Sequence, residues 1–410
     1  MLKRISFFSA FLLVTLACGA GTTQPTDLLT PEPTPTDVIF PTPTPEPTVP
    51  PTATEIPPTV EVSAPIPQEG YGPDNFPANV NPLTGLVVDD ATILDRRPVS
   101  VKVNNYPRSN RPQWGLSLAD IVYEYYHNNE IPRFHAIFYG QNASQVGPIR
   151  SARLFDDYLV DAYDSILNYG SADFRIRDRL AASGYGNRLV VLLEGSCPPT
   201  PVCRYEPAVL NYLVSDTAEL TKWVTNLGVE NGRQNLDGMA FQDQVPAASQ
   251  GQVDRVYIRY SYAAYSFWEY DPGLRIYYRH QDTREDIGGA GEGYALLTDR
   301  LTGYHIAADN VVVLIIPHFY NHYQPPSNGT PAVEVVDMNF VGTGKAYAFR
   351  DGQSYELEWV RPTDGSTIYL QYPDGTRWPF KPGTTWFQVM SDLTLLEKVE
   401  TVWRFQFAIR

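Results

Sequence analysis

The chain has 410 residues, which is room for two ordinary domains, and a formal net charge of −15 at pH 7. Tyr, Phe, Pro and Gly are prominent and charged residues make up only 19% of the chain, so the composition favours a strand-rich protein with many turns. Nucleic-acid-binding proteins usually carry a basic stripe, and because the sequence has none we expect no nucleic-acid partner.

The N-terminus predicts export. Residues 1–17 carry Lys3 and Arg4 followed by an apolar run of about 13 residues, which is too short to cross a bilayer and fits a signal peptide. The run ends in "TLAC", which resembles the bacterial lipobox and makes Cys18 the expected lipidated (palmitate-bearing) residue. An ordinary signal peptide with an incidental cysteine is the alternative. The lipoprotein interpretation places the protein on the extracytoplasmic side of the cell membrane, with the membrane as its first partner.

Residues 18–75 are dominated by Pro, Thr and acidic residues, and no Lys or Arg occurs between Arg4 and Arg96. Such a segment cannot bury enough apolar surface to offset its ordering entropy. We therefore predict a disordered, extended tether.

Cys197 and Cys203 flank a Pro-rich stretch in "GSCPPTPVCRY". In an exported protein this pair is most simply a local disulfide. Free thiols and a metal site remain open as alternatives, although a metal site would want further Cys or His nearby.

Residues 79–228 are predicted to form a first, mixed α/β domain. Alternating β-branched residues indicate strands, and from Ser151, a plausible helix N-cap, apolar residues recur at intervals of three and four, which indicates a helix. The predicted strands are 97–105, 120–127, 133–140, "SILNYG" and "LVVLLEG", and the predicted helices are the segment after Ser151, "FRIRDRLAAS" and 216–228.

A polar linker, 229–252, separates this region from residues 253–410, where strand patterns and hairpin-spaced turn signals dominate. This second domain is predicted to be mainly antiparallel β. The predicted fold class is thus α+β, with a mixed α/β first domain followed by a mainly antiparallel β second domain.

Several motifs occur in an order that resembles the YerB-like bacterial lipoproteins, whose two halves are paired domains of unknown function. They are "NPLTGL", "RRPVSVKVNNYPRSNRPQWGLSLADIVYE", "PRFHAIFYG", "VGPIRSAR", "GTGKAYAFRDG", "YELEW" and "PDGTRWPFKPGTTWFQV". The resemblance implies a membrane-anchored, extracytoplasmic, two-domain protein and brings no established activity. Pro132 replaces a family threonine, "EPAVLNYLV" lacks a family histidine, and the tail "LTLLEKVETVWRFQFAIR" extends beyond the pattern as an added strand.

The candidate ligand-binding residues are polar positions inside these motifs. They are Asn104, Arg111, Glu124, Arg133, Arg150, Ser151 and Arg153, and Asn105 is a further polar residue of the same motifs. Period-two counting places Tyr123 and Tyr125 on one face of a strand and Glu124 on the other. A carboxylate in an apolar strand needs a partner, which Arg133, Arg150 or Arg153 could supply. The first interpretation is an arginine-lined pocket for a carboxylate or phosphate; the second is a buried Glu–Arg network that fixes the loop at 141–150.

No catalytic residue, cofactor or metal site is predicted. Common nucleophile, phosphate-loop and zinc motifs are absent from the sequence, and His318 and His322 are expected on a loop rather than on a helix that could pair them. Asp156 and Asp157 are expected on a solvated helix face, and the many aromatic residues are expected in the core rather than in a sugar-binding strip.

Two functions follow as hypotheses. The first is a non-enzymatic envelope lipoprotein that binds or scaffolds an envelope protein or a wall-derived ligand. The second is an envelope hydrolase or transferase with Glu124 as acid/base and arginines positioning an anion.

Overall fold

The computed structural model describes residues 67, 69–128, 131–191, 200–205, 213–323 and 333–409. The predicted signal peptide, Cys18, Cys197 and nearly all of the tether lie outside the described residues. No helix among those described is long and apolar enough to span a membrane.

The helices of the described residues all precede the predicted linker at 229–252, and the sequence before that linker and the sequence from Gly251 onward are called here the first half and the second half. They are α1 (Leu154–Tyr163), α2 (Phe174–Ala182) and α3 (Thr217–Asn226). Short 3-10 turns occur at Ala91–Leu94, Arg108–Asn110, Leu116–Leu118 and Gly186–Arg188.

Strands make up most of the remaining secondary structure. In the first half they are β1 (Val99–Val103), β2 (Ile121–Asn128), β3 (Ile131–Phe138), β4 (Ile166–Tyr169), β5 (Leu189–Val191), β6 (Val202–Arg204) and β7 (Leu213–Ser215). In the second half they are β8 (Gly251–Gln252), β9 (Arg255–Arg259), β10 (Tyr265–Asp271), β11 (Ile276–Asp282), β12 (Tyr294–Leu296), β13 (Ala307–Ala308), β14 (Asn310–Ile315), β15 (His318–Tyr323), β16 (Val333–Met338), β17 (Gly342–Arg350), β18 (Gln353–Arg361), β19 (Tyr369–Gln371), β20 (Arg377–Trp378), β21 (Thr385–Met390), β22 (Leu395–Val399) and β23 (Val402–Gln406).

One sheet runs through both halves of the sequence. Its strand order is β20-β19-β18-β17-β14-β21-β2-β3-β1-β4-β5, with β8 paired to β18. The halves join where β2 lies parallel to β21, with Ile121 opposite Thr385 and Tyr125 opposite Val389. The predicted linker 229–252 therefore separates two stretches of sequence that share a sheet, rather than two separate sheets.

A second sheet, ordered β12-β11-β10-β9-β23-β22 with β13 paired to β11, comes entirely from the second half. Aromatic pairs join it to the first sheet: the Trp268 and Trp386 rings are 5.2 Å apart, and the Tyr347 and Phe405 rings 5.3 Å apart. Because the rings are buried between sheets, the aromatic richness of the sequence is largely a core property, as expected.

The local predictions are confirmed more fully than the tertiary ones. The strand and helix patterns of 97–228 correspond to β1–β5 and α1–α3, and the second half is mainly antiparallel β. The tail supplies two strands, β22 and β23, instead of one. The segment after Pro317, expected as a loop, is strand β15, which pairs with β16.

Candidate functional site

The β2–β3 hairpin sorts the predicted site residues onto two faces of the first sheet. Tyr125 lies opposite Arg133, and Glu124 lies opposite Phe134. Because side chains alternate along a strand, Arg133 shares a face with Tyr125 whereas Glu124 points to the other side. The period-two prediction for this strand is therefore confirmed, and one expected site becomes two.

The first face carries a fully buried polar cluster centred on Asp156 of α1. Three groups reach Asp156 Oδ1: the Tyr125 hydroxyl at 2.6 Å, His135 Nδ1 at 2.8 Å and Lys102 Nζ at 3.2 Å. The backbone N–H of Arg153 donates to the other oxygen, Oδ2, at 2.7 Å. Burial alone would raise the pKa of Asp156, but Lys102 and these hydrogen bonds hold it well below its usual range.

Lys102 is the cation of this cluster and is completely buried. It also contacts the Tyr125 hydroxyl, and its Nζ lies 3.7 Å from the centre of the Tyr125 ring. Burial lowers the pKa of Lys102 to about 7, with Asp156 opposing the shift and Arg133 adding to it. A buried amine that titrates near neutrality can exchange its proton as nearby charge changes.

Three arginines surround Ser151 at the edge of this cluster. Arg133 Nη1 donates to the Ser151 carbonyl at 2.7 Å, and Arg153 Nη1 donates to the carbonyls of Ser151 at 3.4 Å and Ala152 at 2.8 Å. Arg150 is held by its backbone N–H, which donates to the Lys102 carbonyl. All three arginines and Ser151 are partly exposed, so this side of the cluster is accessible to solvent.

Burial and neighbouring like charges both disfavour the Arg133 cation. Burial, followed by the neighbouring Arg153 and Arg150, lowers its pKa to about 8. A guanidinium ordinarily stays protonated far above neutral pH, so this shift reports an unfavourable electrostatic environment for the cation. In the part of the chain that the structure describes, no carboxylate lies within ion-pair distance of the Arg133 or Arg153 side chain.

Two expectations about this segment are wrong. Ser151 does not cap α1: the helix begins at Leu154, Arg153 is the residue before it, and the Ser151 hydroxyl instead pairs with that of Ser171 at 2.7 Å. Asp156 is not on a solvated face, because it is fully buried. The two corrections have one cause, since the Asp156 carboxylate accepts the Arg153 N–H and thereby fixes the start of the helix inside the polar cluster.

The second face contains Asn104, Asn105, Arg111 and Glu124, and its charges are paired. Glu124 is 1% exposed, and its ion-pair partner is Arg279 of β11, at 2.9 Å, not one of the three predicted arginines. Asn105 Nδ2 donates to Glu124 at 3.2 Å. Burial raises the pKa of Glu124, and Arg279 opposes that rise.

Arg111 continues this paired network toward the surface. Its Nε donates to the Asn105 carbonyl, and its terminal nitrogens bind both carboxylate oxygens of Asp282 at 3.1 Å. Asn104 is buried and accepts a bond from Gln113 through its carbonyl. Glu124 and these neighbours therefore form a buried, paired network, whereas a ligand-binding role for Arg133, Arg150 and Arg153 stays a prediction.

Sequence reasoning missed Lys102, His135 and Arg279. Lys102 offered a signal, because a lysine in the middle of the apolar strand "VSVKV" must find a buried partner. Arg279 offered none, since it lies 155 positions from Glu124 along the chain.

The cysteine and histidine expectations have mixed outcomes. Cys203 lies on β6 and takes part in a disulfide, while its predicted partner Cys197 lies outside the described residues, so that pairing stays a prediction. His318 is buried and its Nδ1 bonds to the Ile316 carbonyl. Among the described residues no group of His, Cys, Asp and Glu has the arrangement of a metal site.

Comparison with known proteins places these features in a family. Residues 83–190 match the N-terminal domain, and residues 256–387 the C-terminal domain, of a protein family of unknown function, DUF3048. YerB of Bacillus subtilis (strain 168), named as a candidate lipoprotein, is 28% identical over 344 residues, which span 80% of this chain and 90% of YerB. The chain belongs to the YerB-like family.

The crystal structure of the B. subtilis YerB protein supports the same relationship. It matches with a TM-score of 0.60 at 26% identity and covers 77% of this chain and 97% of that one. Both the Lys102–Asp156 cluster and the arginines lie inside the segment matched by the N-terminal family domain. Arg279, which pairs with Glu124, lies inside the segment matched by the C-terminal domain.

Proposed function

We propose that this YerB-like protein is a lipid-anchored, extracytoplasmic binding protein whose ligand is an anion of the cell envelope, held by Arg133 and Arg153. The sequence "TLAC" at Cys18 and the family's candidate lipoprotein support the anchor. The arginine group supports the ligand class. We propose binding rather than catalysis.

One observation carries the anion proposal. Two guanidinium groups converge on a single acceptor, the Ser151 carbonyl, while no described carboxylate lies within ion-pair distance of either of them. Arginine is the side chain best suited to bidentate recognition of carboxylate and phosphate. Arginines that are largely removed from solvent are normally paired with a carboxylate, as Arg279 and Arg111 are on the opposite face.

The electrostatics give the bound anion a thermodynamic role. The repulsion between Arg133 and its neighbours is unfavourable without a ligand, and an anion between them would convert it into attraction. Sites of this kind are expected to be costly to stability and favourable to function.

The second hypothesis, a hydrolase or transferase with Glu124 as acid/base, receives less support. Glu124 lies on the opposite face of the sheet from the arginines and is paired with Arg279. An anion held by the arginines would therefore not share a pocket with this carboxylate.

Replacing Arg133 or Arg153 by glutamine should abolish anion binding, and the Arg133 replacement should do so without lowering stability. Inorganic phosphate, added at constant ionic strength, should raise the melting temperature of the natural protein and leave the melting temperatures of both variants unchanged. At a phosphate concentration about one hundred times Kd, binding stabilises the folded protein by about 2.7 kcal/mol. Without phosphate, Arg133→Gln should melt at or above the melting temperature of the natural protein, because Arg133 is repelled by Arg153 and Arg150.

Arg177→Gln is the matched control, since Arg177 is exposed on α2 and already paired with Asp178. It makes the same change in net charge and should keep the full phosphate response. Loss of stability in Arg133→Gln together with an unchanged response to phosphate would contradict the proposal and leave a purely architectural role.

A further inference from the structure

We infer that the anion held by Arg133 and Arg153 is a dianionic phosphate monoester and that its binding is linked to a proton on Lys102. This inference rests on the proposed function and specifies the ligand's charge and chemical class. It concerns only the first face of the sheet, which carries Arg133 and Arg153, and makes no use of Glu124.

Charge balance on this face favours a dianion. Lys102, Arg133 and Arg153 act on one another electrostatically, and Asp156 is the single buried carboxylate among these described residues. Arg150 also repels Arg133, but it makes a further interaction of its own and is not part of this group of three. Asp173 lies near Arg153, but Arg175 already binds both of its oxygens, at 2.7 and 2.9 Å. Two positive charges therefore remain uncompensated in the described cluster, and a monoanion would leave one of them.

The available donors also fit the shape of a phosphate monoester. Each guanidinium has five N–H donors in a planar fork, and only one terminal nitrogen of Arg133 and one of Arg153 is used in bonds to described carbonyls. The Ser151–Ser171 hydroxyl pair adds a third directional donor beside them. A monoester presents three terminal oxygens, whereas a carboxylate presents two and a phosphodiester presents two.

Lys102 lies beneath this site and is surrounded by groups from every element around it. Tyr125 and His127 face it from β2, His135 and Arg133 from β3, and Asp156 from α1, with Arg153 at the start of that helix. Burial holds the pKa of Lys102 at about 7, so the amine is partly neutral just above that pH. Added negative charge at the arginines stabilises its charged form, and binding should therefore take up a proton.

The sign of the pH dependence follows from these two titrations. The second pKa of a phosphate monoester is about 6, so the dianion accumulates as pH rises through 6. Lys102 loses its proton as pH rises through about 7, and the site becomes less positive. Affinity should be highest between these values and decline on both sides.

The test compares methyl phosphate with dimethyl phosphate by calorimetry of the full chain at pH 7 and constant ionic strength. The monoester should bind about tenfold or more tightly than the diester, a monoanion of similar shape. In two buffers of different ionisation enthalpy at pH 7.5, monoester binding should take up a measurable fraction of a proton. Lys102→Met should abolish that uptake, and the measurement on the natural protein stands even where this variant folds poorly.

The outcomes separate this inference from the proposed function. Equal affinity for the two esters, with loss of both in Arg133→Gln, would overturn the dianion assignment and leave the anion site intact. Monoester binding without proton uptake would overturn the role of Lys102. Failure of both esters and of inorganic phosphate to bind would overturn the inference and the anion site together.

Discussion

A fragment that ends at residue 252 is not expected to fold on its own. It keeps β1–β8 but loses β21, so that the backbone of Ile121–Tyr125 loses its parallel partner and the sheet gains an unpaired edge. It also loses the second sheet, which covers the face that carries Glu124 and Tyr126. Fragment 67–252 should show no cooperative thermal unfolding, whereas 67–410 should unfold cooperatively.

Mixing the two fragments supplies the control. If the shared sheet is what holds the halves together, 67–252 and 253–410 should regain a cooperative transition when they are refolded together. A sharp melting transition and native-like near-UV circular dichroism for 67–252 alone would show instead that the first half is an autonomous domain.

Replacing Arg279 by methionine should lower the free energy of unfolding by about 3–5 kcal/mol, the usual cost of leaving a buried charge without its partner. Arg279 is completely buried and also packs against the rings of Phe134, Trp268 and Trp386, with the Trp386 ring centre 4.9 Å from its guanidinium carbon. Its loss would leave Glu124 buried without its ion-pair partner. Chemical denaturation is the appropriate measurement.

The double variant Glu124→Gln with Arg279→Met removes both charges and should recover much of that loss. Arg255→Met is the matched control for an exposed pair, because Arg255 binds Glu269 at the surface, and it should cost less than about 1 kcal/mol. A cost for Arg279→Met as small as that of the control would mean that the Glu124–Arg279 pair does not join the two sheets.

Here the sequence predicts the positions of helices and strands better than it predicts which distant residues pair with one another. Alternation in "VSVKV" and the recurrence of apolar residues after Ser151 are local signals, and β1 and α1 lie where these signals place them. The parallel pairing of β2 with β21 joins residues more than two hundred positions apart, and no local pattern encodes which distant strand is the neighbour. The pairing that forms one sheet from both halves therefore could not be predicted from the sequence.

In the candidate site, too, the sequence predicts the face on which a residue lies but not its partner. Alternation correctly separates Glu124 from Tyr125, and this separation is what puts the glutamate and the arginines on opposite faces. The choice of partner is a tertiary property, so that Arg279 takes the place expected for Arg133, Arg150 or Arg153. Ser151 is a favoured N-cap residue by type, but the buried Asp156 carboxylate overrides that preference by capping Arg153.

The anion site is tested most directly by following the Nε–H resonances of Arg133 and Arg153 in isotope-labelled protein during a titration with methyl phosphate at constant ionic strength. Signals that disappear in Arg133→Gln and Arg153→Gln assign the two resonances. We expect both to shift and to saturate with one shared dissociation constant, while the resonance of Arg255 on the second sheet stays in place. Unmoved Arg133 and Arg153 resonances, or shifts that match those of Arg255 and do not saturate, would contradict the account.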